Sequence, residues 1–143
     1  MIFKKQKTVA VSGYFDPLHK GHCEYFNLAR KLVGKKGKVI CILNNDNQAL
    51  MKKPRVFMVQ EERKIILENI KNIDEVYISI DQDESVCKSL KVLRPDIFAK
   101  GGDRFAFEIP ETQICKELGI KIIDRLGLKI QASSDLINKW EEK

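Results

Sequence analysis

Short apolar runs alternate with amphipathic ones along this chain, and the alternation predicts strands separated by helices. "TVAVSG" (8–13) and "KVICIL" (38–43) are continuous β-branched runs of the kind that fill a strand covered on both faces. "EVYISI", "DIFAK" and "IKIID" follow as three more strand candidates. Between them the apolar period changes from 2 to 3.6. His22–Val33 carries Phe26, Ala29 and Val33 along one face, with Tyr25, Leu28 and Leu32 beside it. Near Gln60–Ile70, the residues Ile66, Leu67 and Ile70 make a stripe, and Glu84–Leu93 places Val86, Leu90 and Leu93 together. Glu111–Leu118 is stopped by Gly119, and "SSDLINKW" opens on serines suited to an N-cap. "LMKKPR", between the second strand and the Gln60 helix, reads as a lysine-rich loop.

Strands alternating with helices, without a long polar face on any strand, predict an α/β fold. We expect a single Rossmann-like domain over residues 1–143, with a five-stranded parallel sheet and helices on both faces. Repeats, low-complexity tracts and linkers are absent from the sequence. In such sheets ligands bind beyond the carboxyl ends of strands, where the strand order reverses. The connection that follows the first strand is therefore the first place to look for chemistry.

That connection is "GYFDPLHKGH", Gly13 to His22, and it holds both histidines of the chain. Gly13 permits a turn, Pro17 ends the loop, and a helix starts near His19 or Lys20. His19 and His22 are then i and i+3 at a helix N-terminus, on one face. Free backbone N–H groups and the positive end of the helix dipole point the same way, which makes an anion site. Gly21 lets another group approach the helix closely. A metal site would need a third and fourth ligand, and Asp16 leaves that set incomplete. A nucleophile–base pair would need Cys23, which is rotated off the histidine face. A phosphate-binding corner uses every feature present, because imidazole N–H groups donate to phosphate oxygens and stabilise charge developed in phosphoryl transfer.

Composition narrows the partners. The net charge is +6, with lysines clustered at positions 4–5, 35–38 and 52–55, which favours anionic ligands. The clusters are short and lack the basic–aromatic interleaving of RNA binders, so nucleic acid is not expected as a partner. The four cysteines, Cys23, Cys41, Cys87 and Cys115, are scattered without a CxxC pair, which suits reduced thiols in a cytoplasm and argues against a structural metal. No apolar run approaches the roughly 20 residues of a membrane helix, and the N-terminus reads as the lead-in to a strand.

"GYFDPLHKGH" resembles the signature of the cytidylyltransferase-like nucleotidyltransferase superfamily, a His-x-Gly-His after a G-x-F-D turn. The resemblance continues through "EERKIILENIKNIDEV" (61–76), which is similar to glycerol-3-phosphate cytidylyltransferases. It extends to "KGGD" (100–103), which is closer to heptose-1-phosphate adenylyltransferases, and to "DRLGLKIQASSDLI" (124–137). It implies transfer of a nucleoside monophosphate from CTP or ATP to a small phosphorylated polyol or sugar, with release of pyrophosphate. His19 and His22 would act on the phosphates, with Lys52 and Lys53 closing over them from the loop. Gly13, Tyr14, Phe15, Asp16 and Gly21 would shape the nucleotide corner. Arg63, on the apolar side of its helix, would point into the cleft and contact the nucleotide.

Gly101, Gly102 and Asp103 would lie near base and sugar, and Arg125, Ser133 and Ser134 near phosphate. Ala132 replaces the first hydroxyl residue of that last motif, and the spacing after Arg125 is longer than in the glycerol-3-phosphate branch. Mg²⁺ would be held mainly by the nucleotide phosphates. The spacing from loop to Arg63 leans to CTP with glycerol 3-phosphate, "KGGD" leans to ATP with a sugar 1-phosphate, and the balance falls on CTP. Relatives of this size often form homodimers. The competing classes are a nucleotide-binding module without turnover and a nucleic-acid-binding α/β protein, the latter motivated by the positive charge.

Overall fold

The computed structural model describes residues 6–102 and 109–126, with only the backbone of residue 125. The elements run β1 (Thr8–Gly13), α1 (Lys20–Val33), β2 (Lys38–Leu43), α2 (Asp46–Lys52), α3 (Gln60–Glu68), β3 (Glu75–Ile78), α4 (Cys87–Leu93), β4 (Ile97–Gly101), α5 (Thr112–Leu118) and β5 (Lys121–Leu126). All strand pairs are parallel, and the sheet order is β3-β2-β1-β4-β5. The chain builds outward from β1 through β2 to β3, then crosses back to place β4 on the other side of β1. The reversal of strand order falls between β1 and β4.

The two-residue period of the strands sorts their side chains onto two cores. Val9, Val11, Val39, Cys41 and Leu43 face one way, against Phe26 and Ala29 of α1 and Leu67 of α3. Ala10, Ile42 and Phe98 face the other way, against Val86, Leu90 of α4 and Cys115 of α5. Burying a side chain the size of Phe26 contributes about 1.5–3 kcal/mol. Tyr25 adds a polar pin between α1 and the sheet. Its hydroxyl donates to the Ala99 carbonyl and accepts from the Ser12 amide at 3.3 Å, while burial pushes the phenol's pKa far up. The N-terminus of α1 is thereby fixed against the ends of β1 and β4.

Three expectations need correction. The segment read as a loop after β2 contains α2, a seven-residue helix whose cap Asn45 accepts from the Gln48 amide while Gln48 accepts from the Asn45 amide. The buried stripe of α3 is Arg63 and Leu67, while Ile66 is 38% exposed. Helix α4 starts at Cys87 rather than Glu84, because the buried Asp81 carboxylate accepts the amides of Lys88 and Ser89 and leaves the preceding residues outside the helix.

Candidate active site

The site is built from the carboxyl end of β1 outward. Gly13 is the last residue of β1, and a methyl group there would stand 2.7 Å from Cζ of Phe15. Gly13 is needed for space, and the left-handed backbone of the turn falls on Phe15, at φ 50°. The Phe15 ring folds back onto the α1 side, edge-on to His22 at 4.9 Å and to Phe26 at 5.2 Å between ring centres. Tyr14 lies on the other side of β1, where it lines a cleft together with Val86, Ile109 and Pro110.

His19 and His22 form a reciprocal cap on α1. Nδ1 of His19 accepts from the Gly21 amide at 3.1 Å, and Nδ1 of His22 accepts from the His19 amide at 3.2 Å. An imidazole nitrogen that accepts carries no proton, so each neutral ring is protonated at Nε2. The rings stack with centres 3.8 Å apart. Burial, with a smaller contribution from His19, lowers the His22 pKa to about 4, so His22 is neutral near pH 7. A Cβ on Gly21 would stand 3.0 Å from the His19 ring, so the group that Gly21 admits is His19 itself. The corner presents two Nε2–H donors whose orientation is held by backbone hydrogen bonds.

Asp16 faces away from the histidines. Its buried carboxylate accepts the amides of Phe57 at 2.8 Å and Met58 at 2.7 Å, and lies 3.4 Å from Nζ of Lys53. Burial alone would push the Asp16 pKa up, but these donors outweigh it and hold the carboxyl below the usual range. Asp16 therefore ties the lysine-bearing segment to the β1 loop. Lys52 ends α2 with its Nζ 4.9 Å above the Tyr14 ring. The structure thus gathers His19, His22, Asp16, Lys53, Lys52 and Tyr14 around the end of β1.

Arg63 does not point into the cleft. It is 1% exposed, and its guanidinium donates to Met58 O at 2.9 Å, Tyr14 O at 2.7 Å, Asn44 O at 2.9 Å and Asp46 Oδ1 at 2.7 Å. All three nitrogens are occupied by protein groups from the ends of β1 and β2, the start of α2 and the loop before α3. The apolar side of α3 leads behind the cleft wall, which is why the sequence pattern misplaces this residue.

Beyond Tyr14 the cleft has a volume of about 290 Å³. Ser12, Asn44 and Lys100 line it from the ends of β1, β2 and β4, with Lys52, Glu84 and Glu111 around them. Gly101 ends β4 against the Tyr25 ring, and Gly102 follows at φ 71°. Asp103, Ser133, Ser134 and the side chain of Arg125 lie outside the described residues. Sequence reasoning missed Ser12, Asn44, Glu84, Lys100 and Glu111. The signal for three of them was position, since each sits at or just past the end of a strand. Among the described residues, no group of three His, Cys, Asp or Glu side chains is placed to hold a metal ion, and no helix is long and apolar enough to cross a membrane.

A parallel sheet with a histidine-capped helix and a lysine segment at its strand-order reversal defines an α/β enzyme of nucleotidyl transfer. The chain belongs to the cytidylyltransferase-like family, whose model matches residues 10–135. It is 30% identical over 120 residues to an FAD synthase of Methanothermus fervidus, covering 84% of this chain and 79% of the relative. An FAD synthase of Korarchaeum cryptofilum is 30% identical over 137 residues, covering 93% and 90%. A bifunctional protein HldE of Helicobacter pylori is 31% identical over 116 residues, 79% of this chain but only 24% of that protein, so the chain spans about a quarter of it. The fold recurs in a lipopolysaccharide core biosynthesis protein from Thermoplasma volcanium, at TM-score 0.70 and 21% identity, covering 85% of this chain and 97% of that one.

Proposed function

We propose that this enzyme transfers an adenylyl group from ATP to a small phosphorylated acceptor. An acceptor phosphate oxygen attacks the α-phosphorus, the bond from that phosphorus to the β-phosphate bridge oxygen breaks, and pyrophosphate leaves with the electron pair. The acceptor phosphate is already ionised near neutral pH, so the reaction needs no side-chain nucleophile or strong base. Positioning and charge stabilisation are what the protein must supply.

The observation that carries this reading is the reciprocal histidine cap. With both Nδ1 atoms accepting backbone amides, both Nε2–H groups serve as donors to phosphate oxygens. His22 acts as a neutral donor, its pKa near 4 keeping it from competing as a base. Lys53 and Lys52 add positive charge from the adjoining segment. Mg²⁺ enters as part of the substrate, MgATP. Asp16, the carboxylate of the same loop, is already engaged by two amides and Lys53, so the ion is assigned to the phosphates.

The choice of ATP over CTP rests on two supports. FAD is an adenylate joined to a flavin phosphate, so the FAD synthases among the relatives are named for an adenylyl product. "KGGD" leans the same way. The CTP alternative drew on the spacing to Arg63 as a nucleotide contact, and Arg63 is spent on protein carbonyls.

The test is pyrophosphate release with ATP, CTP, UTP and GTP against glycerol phosphate, sugar phosphates and FMN, in the wild type and in His19→Asn and His22→Asn. Asparagine places an amide oxygen where Nδ1 accepts but has nothing at the Nε2 position, and it is a good N-cap. Each variant is expected to keep its thermal midpoint while turnover falls on the order of 10²–10³-fold, as for loss of a preorganised donor. Full turnover in either variant, or turnover with CTP in preference to ATP, would overturn the corresponding part of the proposal.

A further inference from the structure

Lys100 is a lysine at the end of a buried strand. Ile97, Phe98 and Ala99 before it are all buried, and β4 lies between β1 and β5, paired on both edges. A lysine in such a place has to carry its ammonium out of the sheet, because an ion left among apolar side chains is costly. The two-residue period of the strand decides the direction. Ala10 of β1 pairs with Phe98, and both face the core under α4 and α5. Ser12 and Lys100, two residues further on, project to that same side, away from α1 and its histidines. The Lys100 stem runs over the Phe98 ring, with Nζ 5.6 Å from the ring centre, and Nζ reaches 3.4 Å from Oγ of Ser12. The ammonium thus crosses from β4 to the end of β1, at the reversal of strand order, one residue before the turn at Gly13.

Positive charge at this point has a use that the histidine corner does not meet. Nucleotidyl transfer brings an anionic acceptor phosphate against an anionic α-phosphate, and negative charge spreads over the oxygens of the α-phosphorus in the transition state. His22 is neutral near pH 7, so it brings a donor without net charge. Lys53 lies against the Asp16 carboxylate. The cations that line the cleft are Lys52 and Lys100. Lys52 is exposed at the end of a seven-residue helix, whereas Lys100 is half-buried on an interior strand. A cation already oriented and partly dehydrated stabilises developing charge more than one drawn in from water at the moment of reaction.

We propose that Lys100 is a catalytic residue of the transfer step, its ammonium contacting a non-bridging oxygen of the α-phosphate from the side of β1 opposite the histidines. The proposal rests on the nucleotidyl-transfer reading above. The acceptor oxygen forms its bond to the α-phosphorus, the bond to the bridging oxygen breaks, and the electron pair leaves with pyrophosphate. Lys100 stays protonated throughout, and no proton passes through it. Its contribution is charge at the transition state, which appears in kcat more than in ATP affinity.

The experiment uses the full chain with MgATP and, as acceptor, whichever of glycerol 3-phosphate, ribose 5-phosphate, mannose 1-phosphate and FMN the wild type turns over fastest. Lys100→Met keeps an apolar stem over Phe98 and removes the charge, while Lys100→Arg keeps the charge. In Lys100→Met, kcat should fall on the order of 10²–10³-fold, as for loss of a preorganised donor, while ATP affinity by calorimetry changes less than about tenfold. The thermal midpoint should be undiminished, and Lys100→Arg should retain more turnover than Lys100→Met. ATP with sulfur in place of one non-bridging α-oxygen reads the contact directly. The wild type should distinguish the two diastereomers of that analogue, and Lys100→Met should narrow the difference.

An unchanged kcat in Lys100→Met, or a diastereomer preference equal to that of the wild type, overturns the assignment. A loss of kcat that comes with a lowered thermal midpoint marks a structural role and overturns it too. So does a loss of ATP affinity with kcat intact, which marks ground-state binding. A wild type that releases pyrophosphate with none of the four acceptors instead overturns the nucleotidyl-transfer reading, and this proposal with it.

Discussion

Replacing Arg63 by Met separates the two roles that this arginine can have. Met replaces the aliphatic stem of the side chain and brings no charge or donor. The guanidinium joins three carbonyls, of Tyr14, Asn44 and Met58, to the Asp46 carboxylate. Asn44 is 4% exposed, so its carbonyl loses a partner that water cannot readily replace. Two carbonyls left poorly paired cost about 1–3 kcal/mol each. The Asp46 carboxylate is 27% exposed, so its ion pair is partly replaced by water and contributes less. The sum is ~3–5 kcal/mol, a large share of the 5–15 kcal/mol typical of a folded domain. For a chain of this size it lowers the thermal midpoint on the order of 10 °C. Urea titration and a thermal melt measure the loss, and ATP binding by calorimetry measures the alternative. If Arg63 contacted nucleotide, Arg63→Met would weaken ATP binding and leave the midpoint within a degree or two. That result would refute the clamp.

Two further outcomes follow from the same geometry. Gly13→Ala places a methyl group 2.7 Å from Phe15 Cζ, so the ring must leave His22. Overpacking of this kind costs about 1–3 kcal/mol, and turnover should fall with it, which melts and pyrophosphate release will record together. His22 gives a pH signature: its folded pKa is about 4 against an ordinary 6.5, so between those values the unfolded chain binds a proton that the folded chain refuses. Stability should fall as pH drops from 6.5 towards 4, and His22→Asn should remove that part of the decline. Identical urea midpoints against pH in the two proteins would contradict it.

The fold was legible wherever burial was symmetric. Strand β2 was read to the residue and β1 to within one at its end, because a strand covered on both faces is a nearly continuous apolar run. Helix α2 was not read, because its stability lies in the mutual cap of Asn45 and Gln48 and in Gln48 bonds to the carbonyls of Asp83 and Ser85. Those partners are remote in sequence and leave no apolar period. The histidine corner was visible because its parts are adjacent in the chain. Glu111 was not, since an acid beside a proline at a helix start looks like an ordinary first turn. Only the crossover from β3 to β4, which seats β4 beside β1, brings it into the cleft that Tyr14 lines.

The ten residues from Gly13 to His22 work as a chain of supports more than as a set of contacts. A strand continued past Gly13 would carry Phe15 beyond the sheet into water. The left-handed turn at Phe15 brings the ring back, at a backbone cost of roughly 1–3 kcal/mol. Burial of the ring to 3% exposure offsets that cost, and Gly13 supplies the space that makes it possible. The returned ring then stands edge-on to His22, whose Nδ1 caps the helix and whose Nε2–H is the donor proposed for phosphate. Arg63 grips the carbonyl of Tyr14 from behind, so the same turn holds Tyr14 towards the opposite cleft. One strained residue thus sets the histidine pair on one side of β1 and the cleft lined by Tyr14 on the other. Positions 13 and 15 should therefore matter to turnover as much as the histidines do, although neither places a polar side-chain group on a substrate.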